Sequence, residues 1–314
     1  MNELRKDYIL NRWVIIAEDR KKRPREFKKE ESKKISKTCY FCPGNEKLTP
    51  KETGRLEYKD GWKVRWFPNM FPFVTLDCKK PKSTRSLKKN CAYGYHEVIV
   101  ETTDHSKQLS DLSEDDIRNI LMVYAIRIKE LSEEKNVKYV LIFKNHGREA
   151  GTSLIHSHTQ LSTLDMIPSQ IKEKMDAVKK QKTCPYCSII EKESESKRKI
   201  LENDDFIAFA PFASRFNYEA WLFPKKHILN ITQFKGKELL SLATILKKIL
   251  LKLKSINASY NFCLHYGFKE RGMDLHFHIE IQPRIATWGG FENSSGMIIN
   301  SVSPESAAKF YRER

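Results

Sequence analysis

The sequence predicts an α+β protein in which one module is used twice, each copy an antiparallel sheet with a packed helix. Three observations carry that expectation. First, the order C-x-x-C, strand, histidine, helix, strand, loop, strand with His-x-His runs through residues 39–158 and again through residues 184–278. Second, each copy has one long segment with apolar residues at helical spacing. These are Ile117, Ile120, Leu121, Tyr124, Ile128 and Leu131 in the first, and Leu239, Leu242, Leu246, Ile249 and Leu253 in the second. Third, each copy closes on a strand-like run that carries paired histidines, His156/His158 and His276/His278. The 314 residues suffice for two domains, placed at 1–165 and 166–314.

Along the chain, residues 8–18 read as a hairpin or as a strand with a turn at Asn11-Arg12. Residues 19–25 read as a loop, because Pro24 pushes Arg23 out of helical geometry. Cys39-Tyr40-Phe41-Cys42-Pro43-Gly44 is a tight knuckle. Residues 62–76 are rich in aromatics with two prolines, residues 94–101 end in a strand, and residues 103–106 turn. A helix starts at a Ser113 cap, with Glu114, Asp115 and Asp116 in the first turn, where they suit the helix dipole. A strand over 139–144 and a glycine-containing loop over 145–152 lead into a strand from Ile155 onward. Residues 165–183 read as a polar linker or short helix, and then the pattern restarts. Cys184-Pro185-Tyr186-Cys187 matches the first knuckle, residues 205–212 are similar to the aromatic, proline-bearing stretch of residues 65–74, and a strand follows at 218–224. A helix over 235–254, a strand over 260–266 and a loop lead to the last strand. There Leu275, Phe277, Ile279 and Ile281 face a core, while His276, His278, Glu280 and Gln282 face away.

Two histidines two apart on a strand stand about 6–7 Å from each other. That is too far for both to touch one small atom, and it suits a division of labour in which one holds a metal and the other does chemistry. The metal sets follow from the repeat: Cys39, Cys42, His105 and His156 in the first half; Cys184, Cys187, His227 and His276 in the second. Each is a closed Cys2His2 complement for zinc, with no open position for water, so two structural ions are expected. His96, His146 and His265 remain over, as structural or solvent-facing residues. Cys78, Cys91 and Cys263 are read as single, in an intracellular protein that uses cysteine for metal or buried thiols.

Composition bounds the partners. The net charge of +17 suits anionic ligands such as nucleotides and sugar phosphates. Much of it is scattered lysine, no nucleic-acid module is recognisable, and nucleic acid is not the expected partner. A non-catalytic, zinc-stabilised nucleic-acid-binding protein is the alternative of another class. No run of about 18 apolar residues occurs, and the N-terminus lacks a signal-peptide core, so a cytoplasmic protein with no membrane contact is expected.

With these residues in view, the chain resembles the galactose-1-phosphate uridylyltransferase branch of the histidine-triad superfamily over nearly its whole length. The motif is His-Pro-His-x-Gln, here His156-Ser157-His158-Thr159-Gln160 with serine in place of proline. The resemblance implies two histidine-triad-like modules, His158 as nucleophile and His156 as the zinc ligand beside it. The segment Asp104-His105-Ser106-Lys107 is similar to one that supplies another ligand. Arg20 and Arg23 match arginines that contact the nucleotide, often from the other subunit of a homodimer. Asn69, Asn145, Ser153 and Gln160 match positions lining the phosphate and nucleoside pocket. Residues 290–300, with Phe291, Glu292 and Asn300, fall where the family holds the hexose. Hexose uridylyltransferases tend to carry glutamine near Asn300, whereas Gly-x-x-x-Asn looks like the phosphorylases that attack ADP-glucose. The implied activity is UDP-glucose:hexose-1-phosphate uridylyl transfer in galactose metabolism, through a covalent nucleotidyl-histidine. The alternative is an ADP-glucose or dinucleoside polyphosphate phosphorylase. In the second half Glu280 stands where Gln160 stands in the first. A carboxylate there repels phosphate, so that half is expected to be catalytically silent, or else His278 and Glu280 hold a further metal.

Overall fold

The computed structural model describes residues 3–16, 38–59, 61–77, 79, 84–87 and 89–313. In its first half lie β1 (Glu3–Lys6), β2 (Trp13–Ile16), β3 (Gly54–Tyr58), β4 (Gly61–Pro68), β5 (His96–Val100), α1 (Glu114–Glu133), β6 (Tyr139–His146) and β7 (His158–Leu164). Then come α2 (Ser169–Lys179), α3 (Pro185–Ser194), β8 (Lys199–Glu202), β9 (Phe206–Phe209), β10 (Ala220–Pro224), α4 (Gly236–Ser255), β11 (Tyr260–His265) and β12 (His278–Pro283). The chain closes with α5 (Gly290–Ser295), β13 (Ile298–Asn300) and α6 (Pro304–Arg312).

The duplication is visible in the topology. Ten strands form one sheet in the order β3-β4-β5-β7-β6-β11-β12-β10-β9-β8, with every pairing antiparallel. Read from either end, the order repeats in the two modules. They are joined edge to edge by β6 and β11, from Tyr260 opposite His146 to Cys263 opposite Phe143. One apolar core runs beneath both halves, where α1 and α4 pack. All six apolar residues expected on the inner face of α1 are buried, as are all five of α4. Ser113 caps α1 by accepting the Asp116 N–H. The boundary expected at residue 165 falls between β7 and α2. A smaller sheet, β1-β2-β13, carries the N-terminal hairpin. Among the described residues, no helix is long and apolar enough to cross a membrane.

Local differences from expectation have physical causes. The hairpin loop is residues 7–12, tied by the Asp7 carboxylate to the N–H groups of Ile9 and Leu10. Both histidine strands start one pair late, at His158 and His278. Beyond Val100, which faces His158, the Glu101 N–H takes the Ser157 carbonyl and the chain turns off toward His105. Beyond Pro224 the partner strand of β12 likewise ends, and Phe277 N–H bonds Ile228 instead. The two cysteine pairs differ. Cys39–Cys42 is a turn, whereas Cys184 caps α3 with Pro185 in its first turn. Both faces of β12 are buried, because α2 and α3 cover the side expected to face away. Cys91 is disulfide-bonded rather than single.

Candidate active site

Turns and strand ends bring each Cys2His2 set together, with ligand atoms all within 4.8 Å of one another. In the first set, Sγ of Cys39 and Cys42 lie 3.5 and 3.6 Å from His156 Nδ1, and Cys42 Sγ lies 3.5 Å from His105 Nδ1. In the second the corresponding separations are 3.9 and 3.6 Å to His276 Nδ1, and 3.4 Å to His227 Nδ1. A tetrahedral ion with metal–sulfur bonds of about 2.3 Å and metal–nitrogen bonds of about 2.0 Å needs S···N edges of roughly 3.5 Å. The donors therefore fit a metal ion without rearrangement. The outer nitrogens are bonded as ligands require: His156 Nε2 to the Thr102 carbonyl at 2.7 Å, His276 Nε2 to the Pro224 carbonyl at 3.1 Å, and His227 Nε2 to Asp274 at 3.1 Å.

His158 opens β7. Its Nδ1–H donates to the His156 carbonyl at 2.8 Å, which leaves the Nε2 lone pair free. Phe41 meets the ring edge-on at 5.3 Å between centroids. Beneath it, the Lys144 ammonium donates to the His158 carbonyl, to Ser157 Oγ and to Glu101. Glu101 also accepts from Ser157, Thr159 and Tyr124. Burial would raise the Glu101 carboxyl, but Lys144 and these hydroxyls hold it below the usual carboxylate range. Burial first, and the Lys144 charge second, push His158 down to about 4, so the imidazole is neutral at pH 7.

Two cavities meet at His158, sharing Ser153 and Leu154 with it. One, about 270 Å³, is walled by Tyr40, Phe41, Phe67, Met70 and Phe71, with Asn69 and Gln160 as polar ends. The other, about 640 Å³, is polar and basic, with Lys144, Asn145, His146, Arg148 and Lys254 in its walls. An aromatic slot suits a flat base, and a basic basin suits a phosphate ester.

The structure thus brings Asn69, Asn145, Ser153 and Gln160 together around His158. Asn145 is held by Asn261 across the seam between modules, at 2.8 Å. Arg20 and Arg23 lie outside the described residues. Phe291 and Glu292 sit on α5 and line neither cavity; Glu292 accepts the Gly289 N–H. Asn300 is buried, donates to the Ser214 and Phe216 carbonyls and accepts from the Val302 N–H. In the second module, His278 repeats the bond to the carbonyl two residues back, at 2.8 Å, but it is fully buried. Lys174 from α2 bonds both His278 and Glu280. His265, His278 and Glu280 cluster as metal ligands would, yet the Lys174 ammonium already supplies the cation.

Sequence reasoning set aside His96 and His146. His146 lines the basic cavity, donating to Gln108 and stacking on Tyr260, while His96 stands behind the aromatic one, bonded to its Gln160. Lys144 and Glu101 were not singled out at all. Alternation did carry a signal: a charge in the middle of an apolar strand needs a buried partner.

The fold is a duplicated antiparallel one with the His158 imidazole lining both an aromatic and a basic cavity, and the comparisons with known proteins indicate a nucleotidyltransferase. The model of the family described as galactose-1-phosphate uridyl transferase, N-terminal domain, matches residues 1–168. The chain belongs to the galactose-1-phosphate uridyl transferase family. It is 32% identical to ADP-glucose phosphorylase of Arabidopsis thaliana, over 99% of this chain and 92% of that one. It is 30% identical to galactose-1-phosphate uridylyltransferase of Thermotoga maritima, over 100% and 98%. A crystal structure of an Arabidopsis thaliana ADP-glucose phosphorylase with bound ADP-glucose is similar with a TM-score of 0.85, 31% identity, and 100% and 99% coverage.

Proposed function

We propose that this enzyme moves a nucleoside monophosphate from a nucleotide sugar to a phosphate acceptor through a nucleotidyl group on His158. The carrying observation is the neutral imidazole, with Nδ1–H fixed on the His156 carbonyl and a cavity of different character on either side. His158 Nε2 attacks the α-phosphorus, and the bond to the sugar phosphate breaks. The acceptor's phosphate oxygen then attacks the same phosphorus, and the P–N bond breaks. The Gln160 amide and the Ser153 hydroxyl donate to the non-bridging oxygens as charge gathers there. Arg20 and Arg23 add bidentate contacts from the other subunit of a homodimer, and Phe291 and Glu292 on α5 serve the hexose, whereas Asn300 is buried on the Ser214 and Phe216 carbonyls and holds that segment. The Cys2His2 sets would each hold one structural zinc, fixing the Cys39–Cys42 turn and the start of α3. The compartment is the cytoplasm.

UDP-glucose with a hexose 1-phosphate acceptor is the main reading, supported by family membership and the Thermotoga relative. ADP-glucose with inorganic phosphate is the second, supported by the likeness to the Arabidopsis enzyme. Incubating the protein with UDP-glucose or ADP-glucose without acceptor, quenching at neutral pH and weighing the intact chain separates them. A UMP adduct absent from His158→Asn supports the first reading, and an AMP adduct alone supports the second. No adduct from either donor overturns the assignment of His158.

A further inference from the structure

His96 opens β5 and stands diagonally across from Gln160 on β7, since His96 faces Ser162 and Val98 faces Gln160. Diagonal neighbours on one face of an antiparallel pair touch when the side chains are long. Asn69 Nδ2 lies 3.3 Å from His96 Nε2, between it and Gln160, and the backbone on the other side of the ring decides which nitrogen carries the proton. The Phe73 N–H points at its Nδ1 at 3.4 Å, so Nδ1 accepts and the ring proton sits on Nε2. Nε2–H then donates to Gln160 Oε1 at 3.0 Å, and Asn69 Nδ2 approaches the same oxygen at 3.5 Å. A glutamine amide has an accepting end and a donating end. With the oxygen held from behind, the NH2 end of Gln160 is turned to the cavity that His158 also lines. Were the amide to flip, its oxygen would face an anionic phosphorus centre.

We propose that His96 is a positioning residue for nucleotidyl transfer. It locks the Gln160 amide with its donor end toward the phosphoryl oxygens, and ties that orientation to the 69–73 segment. The Asn69 N–H bonds the His96 carbonyl at 2.7 Å, Asn69 Oδ1 accepts the Phe71 N–H, and Phe73 packs on the imidazole at 4.2 Å. The segment that carries Met70 and Phe71, walls of the aromatic cavity, therefore reports to the phosphate donor through one ring. When the slot is filled, the amide is already oriented.

The inference rests on Gln160 acting as a donor in the proposed transfer, so the experiment tests the two separately. His96→Phe keeps the ring and its packing but loses the donor; His96→Asn restores an N–H. Nucleotidyl-enzyme formation from UDP-glucose and ADP-glucose is followed by intact mass in single turnover for these variants, Gln160→Ala and the His96→Phe/Gln160→Ala double variant. Gln160→Ala is expected to slow formation by about 100-fold or more. His96→Phe is expected to slow it by about 10–100-fold, with little change in the donor concentration at half-maximal rate, and His96→Asn recovers part of the loss. The double variant should match Gln160→Ala alone, because the imidazole has nothing left to orient. If the losses multiply instead, His96 acts independently of Gln160 and the inference fails. If Gln160→Ala is slow while His96→Phe is normal, the inference fails and the reading of Gln160 stands. If Gln160→Ala is unaffected, both fall.

Discussion

Lys174→Met should cost the fold heavily. Lys174 is about as buried as a lysine can be, 3% exposed, with its ammonium bonded to His278 Nε2 and to the Glu280 carboxylate. Truncating one member of a buried pair leaves the other charge without its partner and costs about 3–5 kcal/mol. For a domain of this size that lowers Tm on the order of 10 °C. Arg215, 3.8 Å from Glu280, is too distant to replace the hydrogen bond. The pH dependence identifies the cause. Burial would raise the Glu280 carboxyl, but Lys174, then His265, hold it well below the usual range. In the parent, that depressed value contributes stability above the unfolded carboxylate range, lost as pH falls through the folded one. Without Lys174, burial dominates and the folded value rises above the unfolded one. The variant's deficit should therefore be largest at pH 7 and shrink as pH falls toward about 4. Urea titrations at pH 7 and pH 5 measure both. Lys174→Met/Glu280→Gln, which removes the orphaned charge, should recover most of the loss. A deficit under about 1 kcal/mol, or one independent of pH, would refute the claim that Lys174 is the cation of this site.

Metal content gives the next test. The purified protein should carry two equivalents of zinc, and Cys42→Ser or Cys187→Ser one each by elemental analysis; unchanged content in either variant removes that cysteine from its set. The loop walling the basic cavity gives another. Gly147 has φ +83°, and a Cβ there would lie 2.1 Å from Ser259 Oγ, whereas Gly151, at φ +85°, has open space around it. Gly147→Ala should cost about 1–3 kcal/mol in strain plus displacement of Ser259, and Gly151→Ala about 1 kcal/mol. Equal losses in thermal melts would show that Ser259 does not matter.

The modules, their helices and both Cys2His2 sets were legible because each is a pattern of residue type at a spacing that local chain geometry enforces. Ile117 to Leu131 repeat at the helical period, and the cysteine and histidine sets recur in the same order. The fusion of the two sheets was not legible. A strand's sequence reports which faces it buries, not which edge it offers, so nothing in residues 139–146 announces residues 260–263 as the neighbour. Lys174 was hidden for a related reason. In a segment full of lysines, one that turns inward to a carboxylate 106 positions away looks like the others. His96 was invisible as a working residue because its partner Gln160 is a diagonal neighbour across a register that only the folded sheet fixes.

That fused edge explains why a module whose own histidine is walled in still matters to the other. Split at β6 and β11, the first module would present Tyr139–His146 as an open strand edge, a template for wrong pairing. This strand also supplies Lys144, Asn145 and His146 to the basic cavity. Their positions are set from the far side of the seam. Asn261 bonds Asn145 and the Ala150 carbonyl at 2.8 Å, Tyr260 stacks on His146 at 4.6 Å, and Lys254 and Asn257 beyond α4's inner face complete the wall. The second module therefore builds part of the first module's site through β11 while closing its own with Lys174. The Lys174–Glu280 pair stabilises that arrangement from beneath β12, which pairs with β11 along its whole length, from Tyr260 opposite Pro283 to His265 opposite His278. Duplication here gives one cavity from two modules: the first carries His158, and the second holds in place the strand that brings Lys144, Asn145 and His146 to it.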